Sequence, residues 1–176
     1  IFSGYFPEQI LTDLPRTVEQ RAAFADLLDA HSDEIAGVIL EPLVQAAGGM
    51  VFHDAESLKA IREICTSRDI LFIADEIATG FGRTGTMFAC DAPGIAPDII
   101  CIGKALSGGA IGLAATCANA RVFDGFLGDD ESRALMHGPT FMANPLACAA
   151  ANASLDLFED GARLTHALSL ELFFRQ

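Results

Sequence analysis

The sequence predicts an α/β fold in which helices flank a mostly parallel sheet. Two nearly unbroken apolar segments, residues 70–74 and 99–102, are typical of parallel strands that are covered on both faces. Each segment is followed by a charge, Asp75 after the first and Lys104 after the second. An amphipathic helical pattern precedes the first segment, so a strand, a helix and a second strand follow one another as in a parallel crossover.

The helical segments begin with recognisable caps. Thr17 and Gln20 form a possible capping box at the start of a helix that ends near His31. Asp54 can cap a second helix, because an apolar stripe on one helical face follows it, made of Leu58, Ile61, Ile64 and Cys65. A third helix is predicted at Asn144-Pro145, where a cap is followed by proline at the first helical position.

Further strands and loops complete the pattern. Residues 35–40 are predicted to form a short buried strand that also ends in a carboxylate, Glu41, which either accepts backbone hydrogen bonds in a turn or faces a cofactor. Residues 45–50 are expected to form a glycine-containing loop, residues 111–117 another strand, and residues 124–133 a charged loop. Residues 1–15, with two prolines and little periodicity, are expected to be an extended surface or interface segment.

Composition limits the classes of partner. The chain has 176 residues, a mean hydropathy of +0.36 and 51% hydrophobic residues, so it can bury a sizeable core, and its length suggests one domain. A net charge of −13 argues against nucleic acid or an anionic membrane as partners. Five cysteines without C-x-x-C spacing indicate buried, reduced thiols, and four scattered histidines predict no metal site. Since the sequence has no apolar run of membrane-spanning length, cytoplasm is the expected location.

Two interpretations of Asp75 and Lys104 compete. The two charges lie at the carboxyl ends of predicted strands, where ligands sit in parallel sheets, and they could simply form a structural ion pair. Alternatively, Lys104 binds the aldehyde of pyridoxal phosphate covalently while Asp75 pairs with the protonated ring nitrogen. At 4 Å and an effective dielectric constant near 20, such a pair is worth roughly 4 kcal/mol, or about three pKa units. That is enough to keep a pyridine protonated at neutral pH.

The chain also contains a dinucleotide-like motif, because Gly80, Gly82 and Gly85 spell G-x-G-x-x-G. In a dinucleotide-binding unit the glycines directly follow the strand, and an acidic residue ends the next strand. Here Asp75 and Glu76 come before the glycines, and the next strand ends in a lysine rather than an acid. A nicotinamide-dependent oxidoreductase is therefore the weaker alternative.

The motifs LFIADEIATGFGRTG and PDIICIGKALSGG resemble those of the class III pyridoxal-phosphate aminotransferases, which have fold type I. The segments EPLVQAAGGM and HGPTFMANPLACAAANASL extend the resemblance over most of the chain. It implies that Lys104 is the catalytic Schiff-base lysine, that Asp75 partners the ring nitrogen and that Ile77 packs against one face of the ring. It also implies an antiparallel strand at residues 111–117, a homodimer in which Thr140 binds the cofactor phosphate of the neighbouring subunit, and substrate binding at Gly138.

Within this family the resemblance implies amino transfer from S-adenosylmethionine to 8-amino-7-oxononanoate, which gives 7,8-diaminononanoate in biotin synthesis. Ala78 fits this branch, because many other class III members carry a glutamine there that contacts the ring's phenolic oxygen. Another class III transaminase or an aminomutase remains an alternative. We also expect that residues 1–176 are part of a large cofactor-binding domain, without the N-terminal segment and the C-terminal small domain, and that this piece alone is inactive.

Overall fold

The computed structural model describes residues 9–176, so most of the predicted extended segment at residues 1–15 lies outside the described residues. Its helices are α1 (Val18–Ala30), α2 (Ala55–Ser67), α3 (Ala120–Asp124), α4 (Pro145–Asp156) and α5 (Ala162–Phe174). Its strands are β1 (Gly37–Leu40), β2 (Val44–Gln45), β3 (Val51–Phe52), β4 (Leu71–Asp75), β5 (Ile99–Ile102) and β6 (Ala115–Ala118).

The main sheet has the strand order β1-β4-β5-β6. β1 pairs in parallel with β4, β4 pairs in parallel with β5, and β6 runs antiparallel to β5. The α/β class, the mostly parallel sheet and the antiparallel direction of the last strand are thus confirmed. The short strands β2 and β3 form a separate antiparallel pair.

The predicted caps are present at all three helices. The Thr17 hydroxyl accepts a hydrogen bond from the Gln20 N–H at 3.2 Å, and the Gln20 side chain accepts from the Thr17 N–H at 3.0 Å, which completes the capping box of α1. The Asp54 carboxylate caps α2 through the Ser57 N–H at 2.7 Å. Asn144 caps α4 with Pro145 at its first position.

The main core lies between one face of the sheet and the helices α1 and α2. The fully or nearly fully buried residues there are Phe24, Leu28, Leu58, Ile61, Cys65, Ile70, Phe72, Ala74 and Cys90. The buried strand predicted at residues 35–40 begins only at Gly37, and the prediction that it is buried is wrong at Ile39, which is 61% exposed. A second cluster, built on Phe81, Leu106 and Ala151, lies where α4 packs on the residues after β5.

Four local features differ from the sequence prediction. The loop expected at residues 45–50 is the turn of the β2–β3 hairpin, in which Gly49 has a φ of +99°. The strand expected from residue 111 begins only at Ala115. The one-turn helix α3, capped by Asn119, was not predicted, and a 3-10 helix, Glu131–Arg133, interrupts the charged loop.

All five cysteines are free thiols. Cys65 and Cys90 are buried, as expected, but Cys101 and Cys148 are only partly buried, and Cys117 is exposed on the edge strand β6. Within residues 9–176 the helices are too short or too polar to cross a membrane, and we found no group of three or more potential metal-ligating side chains.

A buried polar cluster fixes the amino end of β5. Asp98 is 4% exposed and accepts hydrogen bonds from the Arg62 guanidinium, the Phe72 N–H at 2.9 Å and the Asn119 side chain at 2.9 Å. Burial alone would raise the pKa of Asp98, but these donors, above all Arg62, hold it below its ordinary value. The cluster joins α2, β4 and β5 at the end of the sheet opposite to Asp75.

We expect Asp98→Asn, in the complete protein, to lower the free energy of unfolding at pH 7 by about 1.5–3 kcal/mol, because Arg62 loses a charged acceptor. Since folding lowers the pKa of Asp98, the stabilisation is complete above the unfolded pKa of about 4 and is lost as the pH falls through the folded value. Chemical denaturation of the parent and the variant between pH 3 and pH 7 measures both effects.

Asp29→Asn is the matched control, because Asp29 pairs with Arg68 on the exposed surface of α1. It should lower stability much less than Asp98→Asn does. Equal effects of the two substitutions would contradict the role assigned to the buried cluster.

Candidate functional site

The parallel pairing places the predicted charges at one edge of the sheet. Leu40 is paired with Ala74 and Asp75 with Cys101, so Glu41, Asp75 and Lys104 all follow the carboxyl ends of neighbouring strands. This is the edge at which open α/β sheets bind their ligands. The prediction that the three charged strand ends share one edge is confirmed.

The Asp75 carboxylate is held by its own turn. Its Oδ1 accepts a hydrogen bond from the Ile77 N–H at 3.1 Å, and the side chain is partly buried. Within the described residues it has no cationic partner closer than 4.0 Å. One carboxylate oxygen is therefore fixed by the backbone, and the other remains available to a ligand.

Lys104 is exposed and begins a 3-10 helix, Lys104–Ser107, directly after β5. Its φ of +45° is unusual for a residue with a side chain. Across residues 9–176, Lys104 forms no ion pair within 4.0 Å and no side-chain hydrogen bond. The alternative in which Asp75 and Lys104 form a structural ion pair with each other is therefore wrong for this structure.

Ile77 and Gly103 bring the two strand ends into contact. A Cβ atom added to Gly103 would lie 3.5 Å from Ile77 Cγ2 and 3.5 Å from the Leu113 carbonyl oxygen. The Ile77 side chain therefore packs over the residue that precedes Lys104. Asp75, Ile77 and Lys104 are brought together at one place, as the sequence predicted.

Small and hydroxylated side chains support the turn that carries Lys104. The Ser154 hydroxyl of α4 donates to the Ala105 carbonyl at 3.2 Å, and the buried Ser107 hydroxyl donates to the Ile111 carbonyl at 2.5 Å. Gly108 follows with a φ of +60°, which lets the chain turn away from the sheet edge. The turn that carries Lys104 is thus stabilised by hydrogen bonds from Ser154 and Ser107.

The Glu41 carboxylate does not make the backbone contacts expected of a turn residue within residues 9–176. Its carbonyl oxygen accepts from the Gln45 side chain at 2.6 Å, but its carboxylate accepts no hydrogen bond from a residue in the described part of the chain. Of the two roles left open by the sequence, the structure does not support the one in which the carboxylate accepts backbone hydrogen bonds.

The G-x-G-x-x-G segment is used for packing within the chain. Gly82 has a φ of +82°, and a Cβ atom added to it would lie only 2.9 Å from Leu164 Cδ2 of α5. A Cβ atom on Gly85 would lie 3.5 Å from Leu168 of the same helix. Because α5 occupies the space that these glycines leave, the segment does not form an open phosphate cradle there, and this argues against the nicotinamide alternative.

Thr140 and Gly138 form no hydrogen bond with Asp75, Ile77 or Lys104 in the described part of the chain. Both are exposed and lie in the stretch without helix or strand before α4. The Thr140 hydroxyl has no hydrogen-bond partner among the residues that the structure describes, and a Cβ atom on Gly138 would meet nothing within 4 Å. The role of this stretch stays a prediction.

Sequence reasoning missed the part played by Glu76. This side chain is fully buried directly beside Asp75 and accepts three hydrogen bonds. The only sequence signal was a second carboxylate immediately after an apolar strand. Burial, together with the Glu76 carboxylate, raises the pKa of the neighbouring Cys90 thiol far above its ordinary value, so this thiol stays protonated.

Comparison with known families identifies one match. The sequence profile described as Aminotransferase class-III matches residues 7–176. Among curated relatives, the adenosylmethionine-8-amino-7-oxononanoate aminotransferase of Geobacter sulfurreducens is 53% identical over 134 residues, which are 76% of this chain and 30% of the relative. The chain therefore spans about a third of the length of such relatives.

Solved structures agree with this match. The adenosylmethionine-8-amino-7-oxononanoate aminotransferase of Methanocaldococcus jannaschii superposes with a TM-score of 0.80 at 38% identity, over 86% of this chain and 36% of that one. The ornithine aminotransferase of Toxoplasma gondii gives a TM-score of 0.81 at 32% identity, over 99% of this chain and 38% of that one. That structure is described as having partial occupancy of PLP at its active site.

Proposed function

We propose that this chain, which belongs to the class III aminotransferase family, is part of the large cofactor-binding domain of a pyridoxal-phosphate-dependent aminotransferase. The observation that carries the proposal is that Lys104, which has no ion-pair partner within residues 9–176, shares one sheet edge with Asp75 and Ile77. The location that we propose for the enzyme is the cytoplasm. The domain assignment implies that further segments, on either side of this sequence, complete the enzyme.

The residues present fit this cofactor. A lysine that is exposed and has no partner within residues 9–176 can form a covalent bond with an aldehyde. A carboxylate with one oxygen fixed by the Ile77 N–H can hold a protonated ring nitrogen with the other. Ile77 offers an apolar surface for one face of the ring, and Thr140 of the neighbouring subunit would bind the phosphate. This makes a homodimer part of the proposal.

Bound pyridoxal phosphate supplies the electron sink that amino transfer requires. Lys104 Nζ takes the proton from the α-carbon of the amino donor as a general base and later returns a proton as a general acid. Asp75 keeps the proton on the ring nitrogen through its negative charge. Ile77 would offer an apolar contact to one face of the ring, beside the turn that carries Lys104.

We propose that S-adenosylmethionine is the amino donor and 8-amino-7-oxononanoate the acceptor, with Gly138 at the substrate. Relatives named adenosylmethionine-8-amino-7-oxononanoate aminotransferase, which are 40–53% identical to the chain, support this choice. Ala78, which stands in place of glutamine, supports it as well. Amino transfer to 8-amino-7-oxononanoate by the complete enzyme tests it. Failure with this acceptor but turnover of another ω-amino compound would assign the chain to a different branch of the family.

Lys104→Ala should abolish transamination in the complete enzyme, because both the covalent attachment and the proton transfer are lost. After borohydride reduction, mass spectrometry should find the cofactor attached to the Lys104 peptide in the parent and no attachment in the variant. Lys59 on the exposed face of α2, the only other lysine in this sequence, provides the control Lys59→Ala, which should behave as the parent. Turnover of Lys104→Ala within tenfold of the parent would contradict the assignment.

Asp75→Asn should keep the shape of the site but lose the charge that holds the ring proton. We expect kcat to fall on the order of 10²-fold or more, from roughly 3–4 kcal/mol of lost stabilisation. Steady-state kinetics together with the absorption spectrum of the bound cofactor measures this. Exposed Asp69, placed at the opposite end of β4, gives the charge-matched control Asp69→Asn. A variant Asp75→Asn with normal turnover would leave Asp75 a structural residue only.

Thr140→Ala should weaken cofactor affinity by roughly 10- to 150-fold, because a charge-assisted hydrogen bond to phosphate contributes about 1.5–3 kcal/mol. Mixing of two variant subunits tests whether the Thr140 hydroxyl binds the cofactor of the neighbouring subunit. A heterodimer of one Lys104→Ala subunit and one Thr140→Ala subunit retains one intact site if Thr140 acts on the neighbouring subunit. Titration of that heterodimer at limiting cofactor should reveal one tight, active site, and its absence would refute both the role of Thr140 and the shared-site dimer.

A further inference from the structure

Glu76 lies between Asp75 and Ile77 and is 0% exposed. We infer that Glu76 is a positioning residue whose buried carboxylate fixes the orientation of Asp75 and Ile77 toward the cofactor. This inference rests on the proposed function, since it names what holds the ring-contacting residues in place. It assigns Glu76 no contact with the substrate or the cofactor.

The carboxylate connects two segments that are distant in sequence. Glu76 Oε2 accepts from the Thr79 hydroxyl at 2.6 Å and from the Ala89 N–H at 2.9 Å, and Oε1 accepts from the Cys90 N–H at 2.9 Å. Ala89 and Cys90 begin the 3-10 helix Ala89–Asp91. One side chain therefore connects the turn after β4 to the 3-10 helix that follows the G-x-G-x-x-G segment.

The backbone of Glu76 is fixed as well. Its N–H donates to the Cys101 carbonyl of β5 at 2.9 Å, and its carbonyl accepts from the Gly80 N–H at 2.9 Å. A Cβ atom on Gly80 would lie 3.0 Å from that carbonyl oxygen, so the turn is closely folded. The residue between Asp75 and Ile77 is thus held by the neighbouring strand, by its own turn and by a distant helix.

Asp75 depends on this anchoring because the group that orients it is the Ile77 N–H, at 3.1 Å from Asp75 Oδ1. A small rotation of the peptide units at Glu76 would move that N–H and the Ile77 side chain together. The Ile77 side chain also packs at Gly103, directly before Lys104. Loosening of Glu76 would therefore change the positions of the three residues that we assign to the cofactor.

The chemistry of the network indicates one rigid arrangement. All three partners of the carboxylate are donors, and within the described part of the chain no cation pairs with it. A carboxylate only accepts hydrogen bonds and can serve all three donors at once. An amide cannot, because its NH₂ group would face a backbone N–H. Glu76→Gln therefore changes the network without changing its size.

The test uses the complete enzyme with Glu76→Gln and the pair Thr79→Val and Thr79→Ser. Two quantities are measured: the dissociation constant of pyridoxal phosphate, and amide hydrogen exchange of the peptide that carries Ile77 in the cofactor-free protein. We expect Glu76→Gln to weaken cofactor binding and to speed the exchange by at least tenfold each. Thr79→Val should produce a smaller effect in the same direction, and Thr79→Ser, which keeps the hydroxyl, should restore parental values.

Asp91→Asn is the matched control, because Asp91 accepts from the Phe88 N–H in the same 3-10 helix at 2.9 Å but does not reach β4. It should leave both quantities unchanged. If Glu76 served only the stability of the fold, Glu76→Gln would lower the melting temperature and leave both measured quantities unchanged. Cofactor affinity and Ile77 exchange within twofold of the parent, in a folded Glu76→Gln protein, would overturn the inference.

Three further outcomes are decisive. If Glu76→Gln does not fold, Thr79→Val tests the inference by the same two measurements, because it removes one hydrogen-bond donor to the Glu76 carboxylate. If the parent enzyme does not attach pyridoxal phosphate at Lys104, the proposed function fails and the inference falls with it. Unchanged exchange in the cofactor-free variants, beside normal attachment in the parent, overturns the inference alone.

Discussion

The parallel pairing of β4 with β5 is the constraint on which the candidate site depends. Because the two strands run in the same direction, their carboxyl ends meet at one edge, and the residues that follow them are neighbours. A shift of one residue would turn Asp75 to the other face of the sheet. The site therefore requires one register, and the chain must specify it at a place away from the chemistry.

Asp98 specifies this register from the opposite end. Its N–H donates to the Phe72 carbonyl at 2.9 Å, while its carboxylate accepts from the Phe72 N–H. The same carboxylate also binds Arg62 of α2, so the helix and both strands are aligned by one buried charge. A buried charge network thus holds the amino end of β5, while Lys104 follows the carboxyl end and forms no ion pair within residues 9–176.

The elements set by local chemistry could be predicted from the sequence, and those set by distant contacts could not. Apolar runs and helix caps located β4, β5 and the starts of α1, α2 and α4, because each depends on residues within one turn or strand. The hairpin of β2 and β3 was missed because two-residue strands carry no periodicity. The Glu76 network was missed because Ala89 and Cys90, two of its donors, are 13 and 14 positions away. The burial of Cys117 was mispredicted, because an apolar run does not show that it forms an edge strand.

The backbone at Lys104 has an unusual conformation just after β5, which is one of the two inner strands of the main sheet. A left-handed conformation in a residue with a side chain costs on the order of 1–3 kcal/mol and persists only where its surroundings determine it. Here the surroundings are the Ser154 hydroxyl of α4 on the Ala105 carbonyl and the packing of Leu106 against Ala151. These contacts hold the turn in its left-handed conformation. The strained turn thus carries a lysine that forms no ion pair within 4.0 Å among residues 9–176, and an unpaired amine is what covalent attachment of an aldehyde requires.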